Sequence, residues 1–437
     1  MRPGARVGAV IEILQELEKT NLTADRVVTS YTRSRRYIGS KDRREIGNLV
    51  FSILRSKLRL TWWLERAGHA EISPRALAIA SLSLQSGQTQ GDVPSLFSGE
   101  GYGPPELTSK EETLIEALSG SELVHPDQPD WVRDEVVPWL HPRLLSRFGS
   151  NMAAEMAALQ NEADVVLRVN RLKGTRSGAQ KALAQEDVAT RETAMAPLGL
   201  RVEGRRSLRA SRAFRDGLIE VQDEGSQLVA LLCDAAPGMA VADYCAGAGG
   251  KTLALAAEMQ GKGRITALDS DAKRLERAGP RLERAGVQIV ELKTLPDDSW
   301  TAKSAGSFDR VLVDAPCSGS GVWRRQPDAR LALTPKRFEG YLQAQRAVLQ
   351  SASLLVRRGG RLIYATCSLL PEEDEQQVEA FLAANPDFSQ LILAEVWNKV
   401  LPDVACPAEG FHLLLTPRQH GTDGFFVSIL ERRLEDT

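Results

Sequence analysis

A chain of 437 residues, 43% hydrophobic and 26% charged, is too long for one ordinary core and implies two or three domains. Its formal net charge of −2 neither favours nor excludes nucleic acid, so the distribution of charge has to decide. Five scattered cysteines (Cys233, Cys245, Cys317, Cys367 and Cys406), with no C-x-x-C and no histidine at ligand spacing, argue against a disulfide framework and a zinc module. No apolar run approaches the ~18 residues of a membrane span and the N-terminus has no signal core. A cytoplasmic monomer without membrane or metal is expected.

Residues 5–85 read as helices. Apolar side chains recur at three and four spacings in Val7, Val10, Ile11, Leu14 and Leu17, and again in Ile46, Leu49, Val50, Ile53 and Leu54. A basic cluster (Arg33, Arg35, Arg36, Lys41, Arg43, Arg44) falls between helical runs. Residues 87–108 are rich in Gly, Pro and Ser and read as loop, with more helix at 110–118 and 131–160. At 165 the texture changes: a strand at 165–170, a helix at 176–186 and a strand at 198–202 make a small α+β module. Residues 1–60 carry 13 Lys/Arg against 6 Asp/Glu, and residues 165–215 carry 12 against 4. Two such blocks in a near-neutral chain are electrostatic footprints for a polyanion.

From 218 the pattern is regular. Strands at 240–243, 264–268, 287–292, 308–313 and 360–366 alternate with helices at 251–260, 272–285, 336–356 and 372–384. Alternation of this kind predicts an open, mostly parallel sheet with helices on both faces. Residues 412–416 and 425–430 flank a Gly/Asp turn and predict a closing antiparallel hairpin. The fold class expected is therefore α/β, Rossmann-like, behind an all-α domain and a small α+β module.

Two features carry chemistry. Cys245-Ala246-Gly247-Ala248-Gly249-Gly250-Lys251 follows the first strand of this sheet and opens a helix, where glycines admit a ligand close to the backbone. A P-loop would need glycine where Cys245 stands, and a nicotinamide fingerprint would need glycine where Thr252 stands. S-adenosylmethionine, lacking phosphates, is served by the shorter turn. Asp269 ends the second strand and is placed to accept hydrogen bonds from ribose hydroxyls. The second feature is a pair of thiols, Cys317 in Asp314-Ala315-Pro316-Cys317-Ser318 and Cys367 in Thr366-Cys367-Ser368, each just past a buried strand. Parallel sheets place their sites at these strand ends.

A methyl donor beside thiols and an acid suits cytosine carbon 5. Thiolate addition at carbon 6 makes carbon 5 nucleophilic, and loss of the carbon-5 proton then expels the thiolate. Asp314 is placed to assist at the base edge.

These residues resemble the Sun family of RNA (cytosine-5) methyltransferases, most closely the bacterial RsmB-type ribosomal RNA enzymes. The matching stretches are 243–252, Leu268-Asp269, 309–321, Arg324-Arg325-Gln326-Pro327-Asp328, 360–371 and 421–426, with Val221 to Gln227 at the entry to the domain. The resemblance implies three parts: a NusB-like helical RNA-binding domain over 1–145, a small RNA-binding module over 146–217 and an S-adenosylmethionine-dependent methyltransferase domain over 218–437. It implies Cys367 as nucleophile and Cys317 as the group that resolves the adduct, with small-subunit ribosomal RNA as substrate. The DNA cytosine enzymes use a Pro-Cys nucleophile, so the opposite assignment stays open at this point. A catalytically silent RNA-binding or ribosome-assembly factor is the alternative from another class. Two departures stand out. The family's Ala-Ala-Pro-Gly-Gly-Lys is here Ala246-Gly247-Ala248-Gly249-Gly250-Lys251, and the acid usual after the third strand is missing from Leu292-Lys293-Thr294-Leu295, leaving Asp297 or Asp298 to replace it.

Overall fold

The computed structural model describes residues 1–20, 22–69, 71–85, 92–204, 208–295 and 298–434. The chain forms two compact units. One comprises Met1–Asn161 together with Trp323–Leu333, the other Glu162–Val322 with Thr334–Thr437. Among the described residues no helix is long and apolar enough to cross a membrane.

The first unit is all helix. Helices Pro3–Lys19, Ser40–Arg55, Lys57–Arg66, Pro74–Gln85 and Ser109–Leu118 share one core, into which Val7, Val10, Ile46, Val50 and Ile53 project. Local sequence sets the helix starts. At Ser109–Leu118, Thr108 accepts the Glu111 N–H while the Glu111 carboxylate accepts the Thr108 N–H, a capping box. The segment Trp323–Leu333, distant in sequence, packs within this unit: the Asp328 carboxylate accepts the Ala24 N–H and Leu331 joins the helical core.

The second unit holds two sheets. β1 (Val166–Val169), β2 (Thr190–Glu192), β3 (Gly199–Val202) and β4 (Ile219–Val221) form an antiparallel sheet in the order β2-β3-β1-β4. β4 lies past residue 217, where sequence texture changes, because Ile219 pairs with Val169 and buries its side chain in the small module's core.

The large sheet comprises β5 (Ala240–Asp243), β6 (Arg264–Asp269), β7 (Val290–Thr294), β8 (Phe308–Asp314), β9 (Val356–Thr366), β10 (Phe388–Gln390), β11 (His412–Leu415) and β12 (Phe425–Arg432). Its order is β10-β12-β9-β8-β5-β6-β7, with β11 pairing β12. β5 to β9 are parallel; β12 runs antiparallel to β9, and β10 and β11 share its other edge. Both faces are covered, so alternate residues feed two cores: Val241, Leu312 and Ile363 enter one, Ala242, Val311 and Leu362 the other. This is the α/β, mostly parallel architecture expected. Several elements differ from the sequence reading: β2 and β10 have no counterpart in it, and the helix expected over 131–160 is divided among Asp130–Arg133, His141–Phe148 and Met152–Gln160. The third strand lies at Val290–Thr294 rather than 287–292, and the helix over 272–285 breaks at Arg277 into Ala272–Glu276 and Ala278–Ala285. Pro280 cannot donate to the carbonyl four residues back, and its ring crowds that carbonyl.

Candidate active site

The ends of β5, β6, β8 and β9 define a crevice. Beyond β5 the chain turns through Gly247 and Gly249, both left-handed (φ +56° and +76°), into the helix Gly250–Glu258. A β-carbon on Gly249 would stand 2.9 Å from that of Ala278, so glycine is required twice over, by conformation and by space. Asp269, 5% exposed at the end of β6, holds the turn. Its Oδ2 accepts the Gly247 N–H and its Oδ1 the Asp271 N–H, both at 2.8 Å. Each carboxylate oxygen keeps a second lone pair for a ligand hydroxyl.

Beneath this turn is an acid that the sequence reading left out of the site. Asp243, fully buried, accepts the Thr252 hydroxyl on Oδ2 at 2.6 Å, and its Oδ1 has no hydrogen-bond partner among the described residues. Burial pushes its carboxyl up to about 6. An orphaned acceptor beneath a glycine turn, beside a ribose-competent carboxylate, fits a ligand carrying both hydroxyl and ammonium groups. The adenine side is less complete. Thr294 ends β7 and presents no acid, Asp297 lies outside the described residues, and so does the side chain of Asp298.

Lys251 ties the turn to β8. Its Nζ donates to Asp314 Oδ2 at 2.7 Å and lies 5.4 Å from the centre of the Phe425 ring. Burial acts to lower the Lys251 pKa, but the Asp314 carboxylate, with Cys367 and Asp243, outweighs it and holds the ammonium above its ordinary value.

Cys317 and Cys367 come together. β8 and β9 are neighbours in register, Asp314 opposite Ala365, and the Ala315 N–H extends the ladder to Ala365 O at 2.8 Å. The two sulfurs, both free thiols, lie 3.3 Å apart. The hydrogen bond with Cys367, together with burial, pushes the Cys317 thiol well above its ordinary value. Burial also pushes the Cys233 and Cys245 thiols up. Cys245 lines the turn but is no candidate nucleophile.

A buried acid braces both thiol loops. Glu373 is fully buried, and its carboxylate accepts the Ser318 N–H (2.7 Å), the Ser318 and Ser368 hydroxyls (2.5 Å each) and the Gln345 side-chain amide (3.0 Å). Gln345 also donates to Pro316 O at 2.9 Å. Burial raises the Glu373 pKa, against the pull of these hydrogen bonds.

The family described as 16S rRNA methyltransferase RsmB/F matches residues 230–431, and the RsmF/B-like ferredoxin-like domain matches 138–209. The ribosomal RNA small subunit methyltransferase B of Pseudomonas putida is 32% identical over 303 residues, covering 68% of each chain. The chain belongs to the RsmB/F family. The Salmonella typhi methyltransferase B is 28% identical over 382 residues, 80% of this chain and 84% of its own. The solved structure of PH0851 is 25% identical and superposes with a TM-score of 0.79 over 99% of both chains.

Within this RsmB/F chain the crevice gathers Gly247, Gly249, Lys251, Asp269, Asp314, Cys317 and Cys367, all named from sequence. It adds Asp243, Gln345 and Glu373, which were not. The acidic run Glu372-Glu373-Asp374 follows Cys367 closely, but nothing in its composition marks Glu373 as the buried member. Glu373→Met would leave the Ser318 N–H and the Gln345 amide without their shared acceptor. It should cost about 1–3 kcal/mol of stability and lower kcat while leaving cofactor affinity intact. Chemical denaturation and steady-state kinetics would read both, and an unchanged kcat would refute the bracing role.

Proposed function

We propose that this chain methylates carbon 5 of a cytosine in small-subunit ribosomal RNA, through a covalent adduct between Cys367 and carbon 6. The observation that carries this reading is the thiol pair, 3.3 Å apart at the ends of adjacent strands, with the Lys251–Asp314 pair closing the crevice alongside. S-adenosylmethionine, the cofactor, would be held by Asp269, the Gly247–Gly249 turn and Asp243. When bound it supplies the methyl group as an electrophile to the carbon-5 electron pair.

The chain's own groups do the rest. The Cys367 thiolate forms an S–C6 bond, and the ring's C5=C6 pair is pushed towards carbon 5 and the polar edge of the base. Asp314 holds that edge, and the Lys251 ammonium offsets the negative charge the ring takes up. After methylation, the carbon-5 proton is lost to water, its bonding pair re-forms C5=C6, and the S–C6 pair returns to sulfur. Cys317, held as a thiol, offers its S–H to the departing Cys367 sulfur. That division of labour favours Cys367 as nucleophile over the Pro-Cys alternative. Labelled S-adenosylmethionine with small-subunit ribosomal RNA should place the label in 5-methylcytidine after digestion to nucleosides. Label in any other nucleoside, or none, would sink the proposal.

The helical unit carries a surface suited to RNA. Arg33, Arg36, Lys41 and Arg44 are exposed there, and Tyr37 stacks on Tyr102 with centroids 5.7 Å apart, both more than half exposed. Exposed aromatics among basic side chains are a base-stacking platform. Arg35 and Arg43 are engaged internally: Arg35 pairs with Glu12 at 3.4 Å, and Arg43 Nε donates to Ile38 O at 2.9 Å. In the second block Arg209, Arg212 and Arg215 are exposed, while 205–207 lie outside the described residues. Arg36→Ala with Arg44→Ala should flatten the salt dependence of RNA affinity by about 0.7–0.9 log units per lost phosphate contact. An unchanged slope in filter-binding titrations would remove these residues from the interface.

A further inference from the structure

A second cavity of about 420 Å³ lies in the same unit, lined by none of the crevice residues named above. Its volume falls within the ~300–1,000 Å³ typical of small-molecule sites. Sequence places its polar groups. Along β1, Leu167 and Val169 enter the small module's core, so Arg168 is turned to the opposite face, where it is 5% exposed. Arg171 and Arg176 follow in the loop and at the start of the helix Arg176–Ala184, which Thr175 caps by accepting the Gly178 N–H. The opposing wall comes from the helices Glu224–Leu231 and Gly250–Glu258, which contribute Gln227, Leu231 and Glu258.

Three guanidiniums and one carboxylate line the cavity, with Glu192 paired to Arg176 as a second carboxylate, and the helix Arg176–Ala184 starts among the lining residues. The guanidiniums and the helix start favour an anion. Arg171 Nη1 bonds Glu258 at 2.9 Å, and Arg176 bonds Glu192 at 2.6 Å, so the mouth is held in place. Arg168 Nη1 donates to Gly250 O at 3.3 Å and Gln227 Nε2 to Leu167 O and Gln222 O, but Arg168 Nε and Gln227 Oε1 have no hydrogen-bond partner among the described residues, although both side chains are buried. A buried donor and a buried acceptor left unmet favour a ligand that satisfies both. Pro197, Leu198, Leu231 and Val400 supply apolar wall beside them.

We infer that this cavity binds a nucleotide unit, its base edge read by Arg168 and Gln227 and its phosphate held by Arg171 and Arg176. The apolar wall accepts the face of the base. The ligand is either a free nucleoside monophosphate or one nucleotide of a bound single strand. This inference concerns binding alone and stands apart from the cytosine-methylation reading.

The test uses the full chain saturated with S-adenosylhomocysteine, so that the cofactor crevice is filled. The four nucleoside 5′-monophosphates and a short single-stranded RNA are titrated in by calorimetry. At least one monophosphate should bind with 1:1 stoichiometry. Leu231→Trp, which fills the cavity, and Arg176→Gln at its mouth should each weaken binding by about tenfold or more, equivalent to the loss of a charge-assisted hydrogen bond. Arg176 is 28% exposed, so its variant keeps the test valid even where the tryptophan prevents folding. RNA that competes with the monophosphate identifies the strand as the source; RNA that leaves it in place identifies the free nucleotide. Absence of monophosphate binding, or binding that the folded variants leave unchanged, overturns the inference.

Discussion

Replacing Cys317 by Ala should leave the protein joined to RNA as a complex that survives denaturing electrophoresis, whereas Cys367→Ala should give neither complex nor product. The two sulfurs are 3.3 Å apart, so each variant removes one partner of a single pair. Without Cys367 no S–C6 bond forms, and methyl transfer should fall by roughly 10⁴-fold or more, as for other lost nucleophiles. Without Cys317 the bond still forms and methylation proceeds. The departing sulfur then lacks its neighbouring S–H, and the adduct accumulates. The double variant should trap nothing. Cofactor affinity should hold in all three, because the thiols act on RNA. Trapped complex with Cys367→Ala, and its absence with Cys317→Ala, would exchange the two roles.

Much of this site can be read in the sequence because its parts are local. The glycine turn, Asp269 at the end of β6 and each Cys-Ser motif past a strand depend on short-range order, and strand ends in a parallel sheet converge by topology. The pairing of Cys317 with Cys367 follows once β8 and β9 are adjacent. Sequence is silent on which polar residues are buried. Asp243 closes β5 like any strand-terminal acid, and only the packed structure shows Oδ1 without a partner. Glu373 sits in an acidic run that would pass for a solvated helix start, yet it accepts four hydrogen bonds beneath both thiol loops. Such roles arise from contacts across tens of residues, which periodicity does not encode.

The fold shows the same division. Apolar alternation located β5, β6, β8, β9 and β12, all rich in fully buried side chains. It misplaced β7, whose residues are half-buried or exposed and give a weak pattern. It also missed that 323–333 belongs with the helical unit. The Arg-Gln-Pro-Asp run there is polar, and although Trp323 and Leu333 are buried, its anchor far across the sequence is the Arg330–Glu135 ion pair, which no periodicity signals.

That anchor makes the second large prediction. Arg330 and Glu135 are 2% and 0% exposed and meet at 3.3 Å, with Arg59 Nε on the same carboxylate at 3.0 Å. Glu135 also accepts the Leu58 and Arg59 N–H groups at the start of the helix Lys57–Arg66. Arg330 donates to Leu54 O and Arg55 O at the end of the helix Ser40–Arg55. Each charge therefore meets the helix end of opposite polarity. Burial still prevails: it pushes Glu135 above its ordinary carboxylate value despite both arginines, and lowers Arg330 to about 10. A pair of this kind adds little net stability, but breaking it is costly. Arg330→Ala leaves Arg59 as the remaining cation on the buried Glu135 carboxylate and should cost about 1.5–3 kcal/mol at pH 7, the range of a hydrogen bond to a charged group. The sign of the pH dependence follows from the raised Glu135 pKa. Its charged form is the disfavoured one in the fold, and losing Arg330 raises that pKa further, so the penalty is full at neutral pH and shrinks as pH falls through it. Urea denaturation at pH 7 and pH 5 should therefore show the Arg330→Ala deficit narrowing in acid; a deficit below about 1 kcal/mol, the range of an exposed pair, or one that ignores pH, would place the anchor elsewhere.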